Sequence, residues 1–257
     1  MLSVDDRGNV RYLTLDRPHV RNALNLALIL ALRQAVHQAK TYNVRCLVVT
    51  GNGKAFCAGG DVAEWAEVEA QGESATFPWV EEMHELILDV AGFPAPTVAW
   101  INGAAVGAGL DLALACDFRL AADSARFQCA YTRMAICPDA GGTWLLPRLI
   151  GLEQAKRFAF TAAFWSAAEA LARGLVTEVH GGDGLAEACR LFAEGLATGP
   201  SAAIAETKRL METAAARDLR AQLAAEKAAS ERCYRTGDFK EAMAAAAEKR
   251  APVFRGR

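Results

Sequence analysis

Two stretches in which a short apolar run leads into paired glycines are the parts of this chain best suited to chemistry. The first, N-G-A-A-V-G-A-G-L-D at 102–111, follows the apolar run 97–101. The second, G-N-G-K-A-F-C-A-G-G-D at 51–61, follows the run 46–50. Glycine lets the backbone approach a ligand closely, and the first N–H groups of a helix point outward without an intrahelical partner. Together the two stretches could direct two N–H donors at one oxygen atom. Two such donors form an oxyanion hole, which stabilises developing negative charge.

The same glycines have a second interpretation. Small residues also allow a helix to pack closely on its neighbour, which is a structural role without chemistry. The pair Gly107 and Gly109 lacks the full dinucleotide fingerprint, so it does not by itself indicate a nucleotide cofactor. The sequence alone does not show that the two stretches meet in space.

The order of apolar runs, polar caps and glycines predicts an α/β fold. The alternating run 10–15 predicts a strand, Asn25 can cap the helix that follows, and the run 46–50 predicts a second strand. A strand, a helix and a strand at this spacing indicate a crossover connection between parallel strands. Further along, Asp61 can cap another helix, and the segment 72–78 is expected to be a mobile loop.

The last third of the chain predicts helices only. Four helices are expected after the glycine pair at 181–182, over 185–197, 201–216, 219–235 and 238–250. Asp238 and Glu241 form the start signal of the last one. Long amphipathic helices of this kind can bury their apolar faces against another subunit.

Composition and charge limit the class of protein. With 257 residues and 53% hydrophobic content the chain can build a packed core, and its net charge of −2 argues against a nucleic-acid surface. The charge is uneven, because residues 1–199 sum to −6 and residues 200–257 to +4. The basic part could meet a phosphate-bearing ligand or an acidic neighbouring subunit, or it could be a solvated helical surface.

Cysteine usage and hydropathy indicate a compartment. The seven cysteines form no C-x-x-C pair, so neither a disulfide framework nor a zinc site is predicted, and a reducing, cytoplasmic compartment fits best. No signal peptide is expected at the N-terminus, which lacks a basic region followed by an apolar core. The apolar segment 97–116 is about long enough to span a membrane but contains Asn102 and Asp111, so we interpret it as buried core.

Several spaced motifs, in order along nearly the whole chain, resemble the enoyl-CoA hydratase/isomerase (crotonase) family. The motifs are R-N-A-L at 21–24, A-F-C-A-G-G-D at 55–61, I-N-G-A-A-V-G-A-G at 101–109, P-D-A-G-G-T-W-L-L-P-R-L-I-G at 138–151, A-x-x-x-G-L-V at 170–176 and E-K-R-A-P-V-F at 248–254. The closest resemblance in motif is to the enoyl-CoA isomerases of phenylacetate breakdown.

The resemblance implies an architecture and a partner. It implies a spiral of repeated ββα turns over residues 1–199 that binds acyl-CoA, followed by an α-helical trimerisation region over 200–257. The usual assembly is a homotrimer or a homohexamer. The substrate is a coenzyme A thioester, and no metal or nicotinamide cofactor, nucleic acid or membrane is implied.

The resemblance also implies site residues. Two backbone N–H groups hold the thioester carbonyl oxygen, and by position in the motifs they belong to Gly60 and Ala108. Ala58 and Asp61 would lie beside the CoA, and Lys249 would reach its phosphates from its own or a neighbouring subunit.

The acidic residues decide the chemistry. Family hydratases use two glutamates to orient water, and at those positions this chain has Asp111 and Tyr131. A phenol, with an ordinary pKa near 10, is a poor general base at neutral pH, so simple hydration is not favoured and Tyr131 is interpreted as a pocket wall. Asp139 stands in the third glycine turn, where family hydratases usually have glycine. An aspartate there resembles the dienoyl-CoA isomerases, the phenylacetate-pathway isomerases and the 4-chlorobenzoyl-CoA dehalogenases.

Our hypothesis is that Asp139 removes a proton from the acyl chain while Gly60 and Ala108 stabilise the thioester enolate, and that Asp139 or Asp111 returns a proton at another carbon. Each acid has a structural alternative. Asp139 could be a turn residue bonded to its own backbone. Asp111, at the start of a helix expected from Leu110 onward, could be a helix cap facing solvent. Trp144 and Trp165 are expected in the core, and His84 on the surface near the pocket entrance.

Other functions remain open. The chain could be an enoyl-CoA hydratase that uses Asp111 and Asp139 as its acids, or a hydrolytic dehalogenase with Asp139 as the nucleophile. A catalytically idle relative that binds acyl-CoA or RNA is the alternative outside enzymes. The acyl group is not readable from the segment 67–80 expected to line its pocket.

Overall fold

The computed structural model of the protein describes residues 1–72 and 76–257. The ten strands of this part of the chain are β1 (Leu2–Arg7), β2 (Val10–Leu15), β3 (Cys46–Gly51), β4 (Ala55–Cys57), β5 (Thr97–Ile101), β6 (Ala104–Val106), β7 (Phe118–Ala122), β8 (Arg126–Gln128), β9 (Trp165–Ser166) and β10 (Glu178–His180). Its α-helices are α1 (Leu26–Thr41), α2 (Val62–Ala70), α3 (Thr76–Ala91), α4 (Ala108–Ala115), α5 (Gly142–Ile150), α6 (Leu152–Thr161), α7 (Ala167–Ala172), α8 (Gly184–Ala197), α9 (Ser201–Thr213), α10 (Leu219–Cys233) and α11 (Gly237–Glu248).

From β3 to β8, successive strands alternate between two sheets. The larger sheet has six strands in the order β1-β2-β3-β5-β7-β10, and the smaller has four in the order β4-β6-β8-β9. Apart from the antiparallel pairs β1–β2 and β8–β9, neighbouring strands are parallel. Each repeat places one strand in the large sheet, the next in the small sheet and then a helix, so the chain winds forward as a spiral. This confirms the expected α/β spiral of ββα repeats.

The central strands of the large sheet are almost entirely buried. All six residues of β3 are buried, and β2 and β5 each have only one residue that is not. This is expected for strands of a sheet covered on both faces. Asn25 caps α1 and Asp61 caps α2, each through a side-chain oxygen that accepts a backbone N–H, and Ser166 with Glu169 forms a complete capping box on α7. The expected caps of α1 and α2 are therefore confirmed.

The C-terminal part is helical, as predicted, but its last helix begins differently. Thr236, not Asp238, caps α11 by accepting from the N–H of Phe239. Asp238 is buried and accepts from the backbone amides of Arg255 and Gly256, so it holds the C-terminal segment instead of starting the helix. The domain division at residues 199 and 200 stays a prediction.

Two other expectations change. Residues 76–78 of the predicted loop 72–78 belong to α3 instead, and residues 73–75 lie outside the described residues. Trp165 is buried as expected, but Trp144 is 52% exposed and lies against the guanidinium of Arg148, so its assignment to the core is wrong. None of the described helices has the length and apolar character needed to cross a membrane.

Candidate active site

The two glycine stretches of the sequence lie side by side. The strands that lead into them, β4 and β6, are parallel neighbours in the small sheet. A Cβ added to Gly59 would lie 3.5 Å from the amide nitrogen of Ala108, and one added to Gly109 would lie 2.5 Å from the carbonyl oxygen of Cys57. The second distance is too short for any side chain. The first glycine stretch therefore packs directly on the second. The glycines allow this close packing at the same place where the two predicted oxyanion donors lie.

Both predicted oxyanion donors lie at this junction. Gly60 pairs with Leu24 in a parallel bridge whose hydrogen bonds use the Gly59 carbonyl and the Asp61 amide. Because alternate residues of an extended chain point to opposite sides, the Gly60 amide points away from Leu24. Ala108 is the first residue of α4, a position whose N–H has no acceptor within the helix. Neither amide is a donor in the backbone hydrogen bonds between elements of the described residues, and their role as oxyanion donors stays a prediction.

Asp111 lies inside the protein at the fourth position of α4. The helix begins at Ala108, earlier than expected, and its cap position is Gly107, so the alternative of a solvent-facing cap at Asp111 is wrong. The side chain is 0% exposed, and its Oδ2 accepts a hydrogen bond of 2.5 Å from the hydroxyl of Tyr131. Its Oδ1 has no hydrogen-bond partner among the described residues. Burial raises the pKa of Asp111 to about 8, with the charge of Asp139 adding to the rise and the phenol opposing it.

Asp139 lies in the turn that leads into α5 and is partly buried. Its Oδ1 also has no partner among the residues described. Burial raises the pKa of Asp139, while its own backbone amide and His84 act in the opposite direction. Because Asp139 is less buried than Asp111, it is the carboxyl that ionises more readily of the two.

The two carboxyl groups share one region of the interior. The charge of Asp139 raises the pKa of Asp111, and both carboxylates raise that of Tyr131. A Cβ added to Gly142, the first residue of α5, would lie 2.6 Å from Oδ1 of Asp111. The turn that carries Asp139 therefore lies directly over the unpartnered oxygen of Asp111, and the structure brings the two predicted acids together.

Tyr131 is buried in a 3₁₀ helix, Tyr131–Met134, after β8. Burial and the neighbouring Asp111 charge raise the pKa of its phenol, which therefore stays protonated and acts as a hydrogen-bond donor. Sequence reasoning interpreted Tyr131 only as a pocket wall and missed this bond. Sequence spacing gives no signal for this contact. Asp111 follows β6 and Tyr131 follows β8, and the two residues meet because β6 and β8 are parallel neighbours.

The other predicted binding residues have different positions. Asp61 is buried in an ion pair with Arg17 (2.8 Å) and caps α2, so its carboxylate is already engaged within the chain. Ala58 lies in the second glycine stretch and is partly exposed. Lys249 is an exposed residue in the left-handed conformation at the end of α11, and it makes no hydrogen bond or ion pair with the other predicted site residues that the structure describes. The expected contact of Lys249 with the CoA phosphates, from its own or a neighbouring subunit, stays a prediction.

Sequence reasoning missed two supporting residues. Asn22 is fully buried, and its amide donates to the carbonyl oxygens of Asn52, Ala55 and Phe56, which fixes the start of β4. His84 is exposed, as expected, but its Nε2 lies 2.6 Å from the backbone carbonyl oxygen of Asp139. For Asn22, its position inside the motif at 21–24 was a signal that sequence reasoning could have used. No sequence signal indicated the contact between His84 and Asp139.

Comparison with known proteins identifies the family of this chain. The family model described as Enoyl-CoA hydratase/isomerase matches residues 5–257. A probable enoyl-CoA hydratase of Rhodobacter capsulatus is 42% identical over 245 residues, which cover 95% of this chain and 94% of the relative. The 1,2-epoxyphenylacetyl-CoA isomerase of Escherichia coli is 34% identical, with 100% of this chain and 98% of the relative covered.

A solved structure supports the same assignment. The enoyl-CoA hydratase of Bacillus anthracis superimposes with a TM-score of 0.92 at 37% identity, covering 100% of this chain and 99% of that one. Relatives and solved structure are thus enzymes of one kind, and the match extends over the spiral and the C-terminal helices alike. The chain belongs to the enoyl-CoA hydratase/isomerase family and is an enzyme of that family.

Proposed function

We propose that this enzyme shifts a double bond in an enoyl-CoA through a thioester enolate, with Asp139 as the base and Asp111 as the acid. The observation that carries the proposal is the pair of carboxyl groups in one buried region, each with an unpartnered oxygen. Their surroundings differ, so that near neutral pH Asp111 holds its proton while Asp139 ionises more readily. Two acids in different protonation states allow one to remove a proton from the substrate while the other supplies one.

The reaction can be written with the chain's own groups. The thioester oxygen of a 3-enoyl-CoA accepts from the amides of Gly60 and Ala108. Asp139 removes a proton from C2, and the electron pair of that C–H bond moves into the enolate, whose charge the two amides stabilise. Asp111 then gives its proton to C4 and the double bond moves to C2–C3. Proton exchange afterwards restores both acids, and no metal or redox cofactor takes part.

Hydration is the second candidate, and the relatives named as hydratases favour it. In that reaction one carboxylate activates a water molecule while the other acid protonates C2. The hydroxyl of Tyr131, which occupies the position of the second hydratase glutamate, is held by Asp111 and stays protonated, so it does not supply the missing base. Hydration by this chain would have to rely on Asp111 and Asp139 alone.

A panel of 3-enoyl-, 2-enoyl- and dienoyl-CoA thioesters separates the candidates, with products followed by mass and ultraviolet absorbance. We expect products of unchanged mass with a displaced double bond. Asp139→Asn should reduce turnover by about a hundredfold or more, which is typical for loss of a general base. Asp183→Asn, at an exposed carboxyl whose side chain makes no capping bond, is the matched control and should keep full activity. A gain of one water molecule would instead establish the hydratase.

We further propose that the enzyme is a cytoplasmic homotrimer or homohexamer that binds neither nucleic acid nor membrane. Large apolar side chains on the C-terminal helices support assembly, since Met211, Leu219, Leu223 and Met243 are all more than half exposed in the single chain. The free cysteines support a reducing compartment. Light scattering coupled to size exclusion tests the assembly, and a monomer would refute it.

A further inference from the structure

The hydroxyl of Tyr131 has one hydrogen-bond partner within the described residues, Oδ2 of Asp111 at 2.5 Å. Both side chains are buried, with exposed fractions of 6% for Tyr131 and 0% for Asp111. The reaction written above gives this contact no part. A short bond between a phenol and a buried carboxyl group nevertheless decides where the carboxyl proton lies.

The direction of the bond follows from the chemistry of the two groups. The phenol stays protonated throughout the range in which Asp111 titrates, because its pKa is raised by burial and by the carboxylate beside it. The hydroxyl has no other acceptor among the residues described, so it donates to Oδ2 whether Asp111 is charged or neutral. The proton of the neutral acid is therefore excluded from Oδ2 and lies on Oδ1.

Oδ1 is the oxygen of Asp111 on the side of α5. It has no hydrogen-bond partner in the described part of the chain, and it lies against Gly142 under the turn that carries Asp139. We propose that Tyr131 is a positioning residue, which holds the acid proton of Asp111 on Oδ1 and so makes Asp111 the proton donor of the isomerisation. This inference rests on the proposed function, because it assigns a proton donor within that reaction.

The donation step balances without any added reactant. The Oδ1–H bond of Asp111 breaks, its electron pair stays on Oδ1, and the proton forms the new C–H bond at C4. The hydroxyl of Tyr131 keeps its own proton and continues to donate to Oδ2, where it now stabilises a carboxylate. Tyr131 thus orients the proton before transfer and stabilises the carboxylate afterwards.

The titration of Asp111 depends on groups from every element packed around it. The titratable side chains that face this region are Tyr131 and Cys129 after β8, Cys57 on β4, Asp139 before α5 and His84 on α3, which faces Asp139. Burial raises the pKa of both cysteine thiols to about 12, so they stay neutral while Asp111 titrates. Asp139 and Tyr131 are therefore the groups that set the titration of Asp111.

The test is Tyr131→Phe, which removes the hydroxyl and keeps the ring. The matched control is Tyr12→Phe, at a buried tyrosine on β2 whose hydroxyl has no partner among the described residues. The carboxyl carbon of Asp111 is titrated by NMR in protein labelled at aspartate, and its signal is assigned with Asp111→Asn. Because Tyr131→Phe removes a donor to the carboxylate, it should raise the pKa of Asp111 above about 8, whereas Tyr12→Phe should leave that pKa unchanged.

Kinetics supply the second readout. Because the donor must be protonated, kcat should fall as the pH rises through the pKa of Asp111, and Tyr131→Phe should move this alkaline limb to higher pH. Near neutral pH the same variant should lose about ten- to a hundredfold in kcat with little change in KM, since the proton is no longer held toward the substrate. An unchanged titration of Asp111 and an unchanged alkaline limb would overturn the inference, as would a loss of kcat without either change.

A second variant keeps the test informative if Tyr131→Phe folds poorly. Difluorotyrosine at position 131 preserves the shape of the ring and makes the hydroxyl a stronger donor. It should lower the pKa of Asp111 and move the alkaline limb to lower pH, and no movement would overturn the inference. Failure of the proposed function is distinguishable, because a wild-type enzyme that isomerises no thioester refutes that proposal whatever the titration of Asp111 shows.

Discussion

The buried carboxyl of Asp111 should make the stability of this protein depend on pH in a way that a single substitution removes. In the folded protein the pKa of Asp111 is raised to about 8 by burial. In the unfolded chain an aspartate titrates near its ordinary value of about 3.9. Between these values the unfolded state releases a proton that the folded state keeps, so the free energy of unfolding contributed by this group falls as the pH rises.

The magnitude follows from the linkage relation. Each pH unit between the two pKa values lowers the free energy of unfolding by about 1.4 kcal/mol. From about pH 5 to about pH 8 the loss is therefore about 3 to 4 kcal/mol. Asp111→Asn keeps the size of the side chain and an oxygen that can accept from Tyr131, but it has no proton to lose. The variant should become progressively more stable than the wild type over this range.

The assay is urea unfolding of both proteins at one fixed protein concentration and at several pH values. Asp6→Asn is the control, because the guanidinium of Arg11 lowers the pKa of that carboxyl, so its effect on stability should not change above about pH 5. A constant stability difference between Asp111→Asn and wild type across this range would refute the reasoning. It would mean that Asp111 is ionised in the folded protein, and it could not then donate a proton near neutral pH.

Three further predictions concern the supports of the site. Gly109→Ala places a Cβ 2.5 Å from a backbone oxygen of β4 and should destabilise the protein by about 1 to 3 kcal/mol and reduce kcat about tenfold or more. Its control, Gly195→Ala in an open position of α8, should instead stabilise the protein by about 0.5 to 1 kcal/mol, as thermal unfolding can show. Asn22→Ala removes the amide donor of three carbonyl oxygens, of which that of Ala55 keeps a donor in Asn102, and should lower the free energy of urea unfolding by about 2 to 3 kcal/mol; a smaller change would mean that water replaces the amide. Arg17→Ala leaves the carboxylate of Asp61 buried and unpaired, so it should destabilise by about 3 kcal/mol in the same assay, whereas a double replacement of both residues by neutral ones should recover part of the loss.

Local signals in the sequence predicted much of the fold. Apolar runs that end in glycines marked the strands, and side-chain oxygens at Asn25 and Asp61 marked two helix starts. These features depend on residues within a few positions of one another, so they are visible in the sequence itself. The start of α4 was placed two residues late because its cap is Gly107, which offers no side-chain oxygen as a signal. Because the helix was expected to begin later, one interpretation placed Asp111 at its solvent-facing cap instead of in the interior.

The contacts that determine the chemistry were not predictable in the same way. The bond between Tyr131 and Asp111 joins residues on separate repeats of the spiral, and it exists because parallel strands bring their ends to one place. The expectation for Trp144 also failed, because it packs against Arg148 on the surface of α5 instead of in the core. Residue type and order identified the candidate acids, but only the three-dimensional arrangement shows which oxygen of each is free.

The central claim is that Asp139 and Asp111 move a proton between two carbon atoms of an enoyl-CoA. The most direct test is to incubate the wild-type enzyme with a 3-enoyl-CoA in deuterium oxide and to locate deuterium in the product by NMR. The account predicts a 2-enoyl-CoA that carries solvent deuterium at C4, because Asp111 exchanges with solvent before it donates. A 3-hydroxyacyl-CoA as the first product, or an Asp139→Asn variant that forms the 2-enoyl-CoA at the wild-type rate, would contradict it.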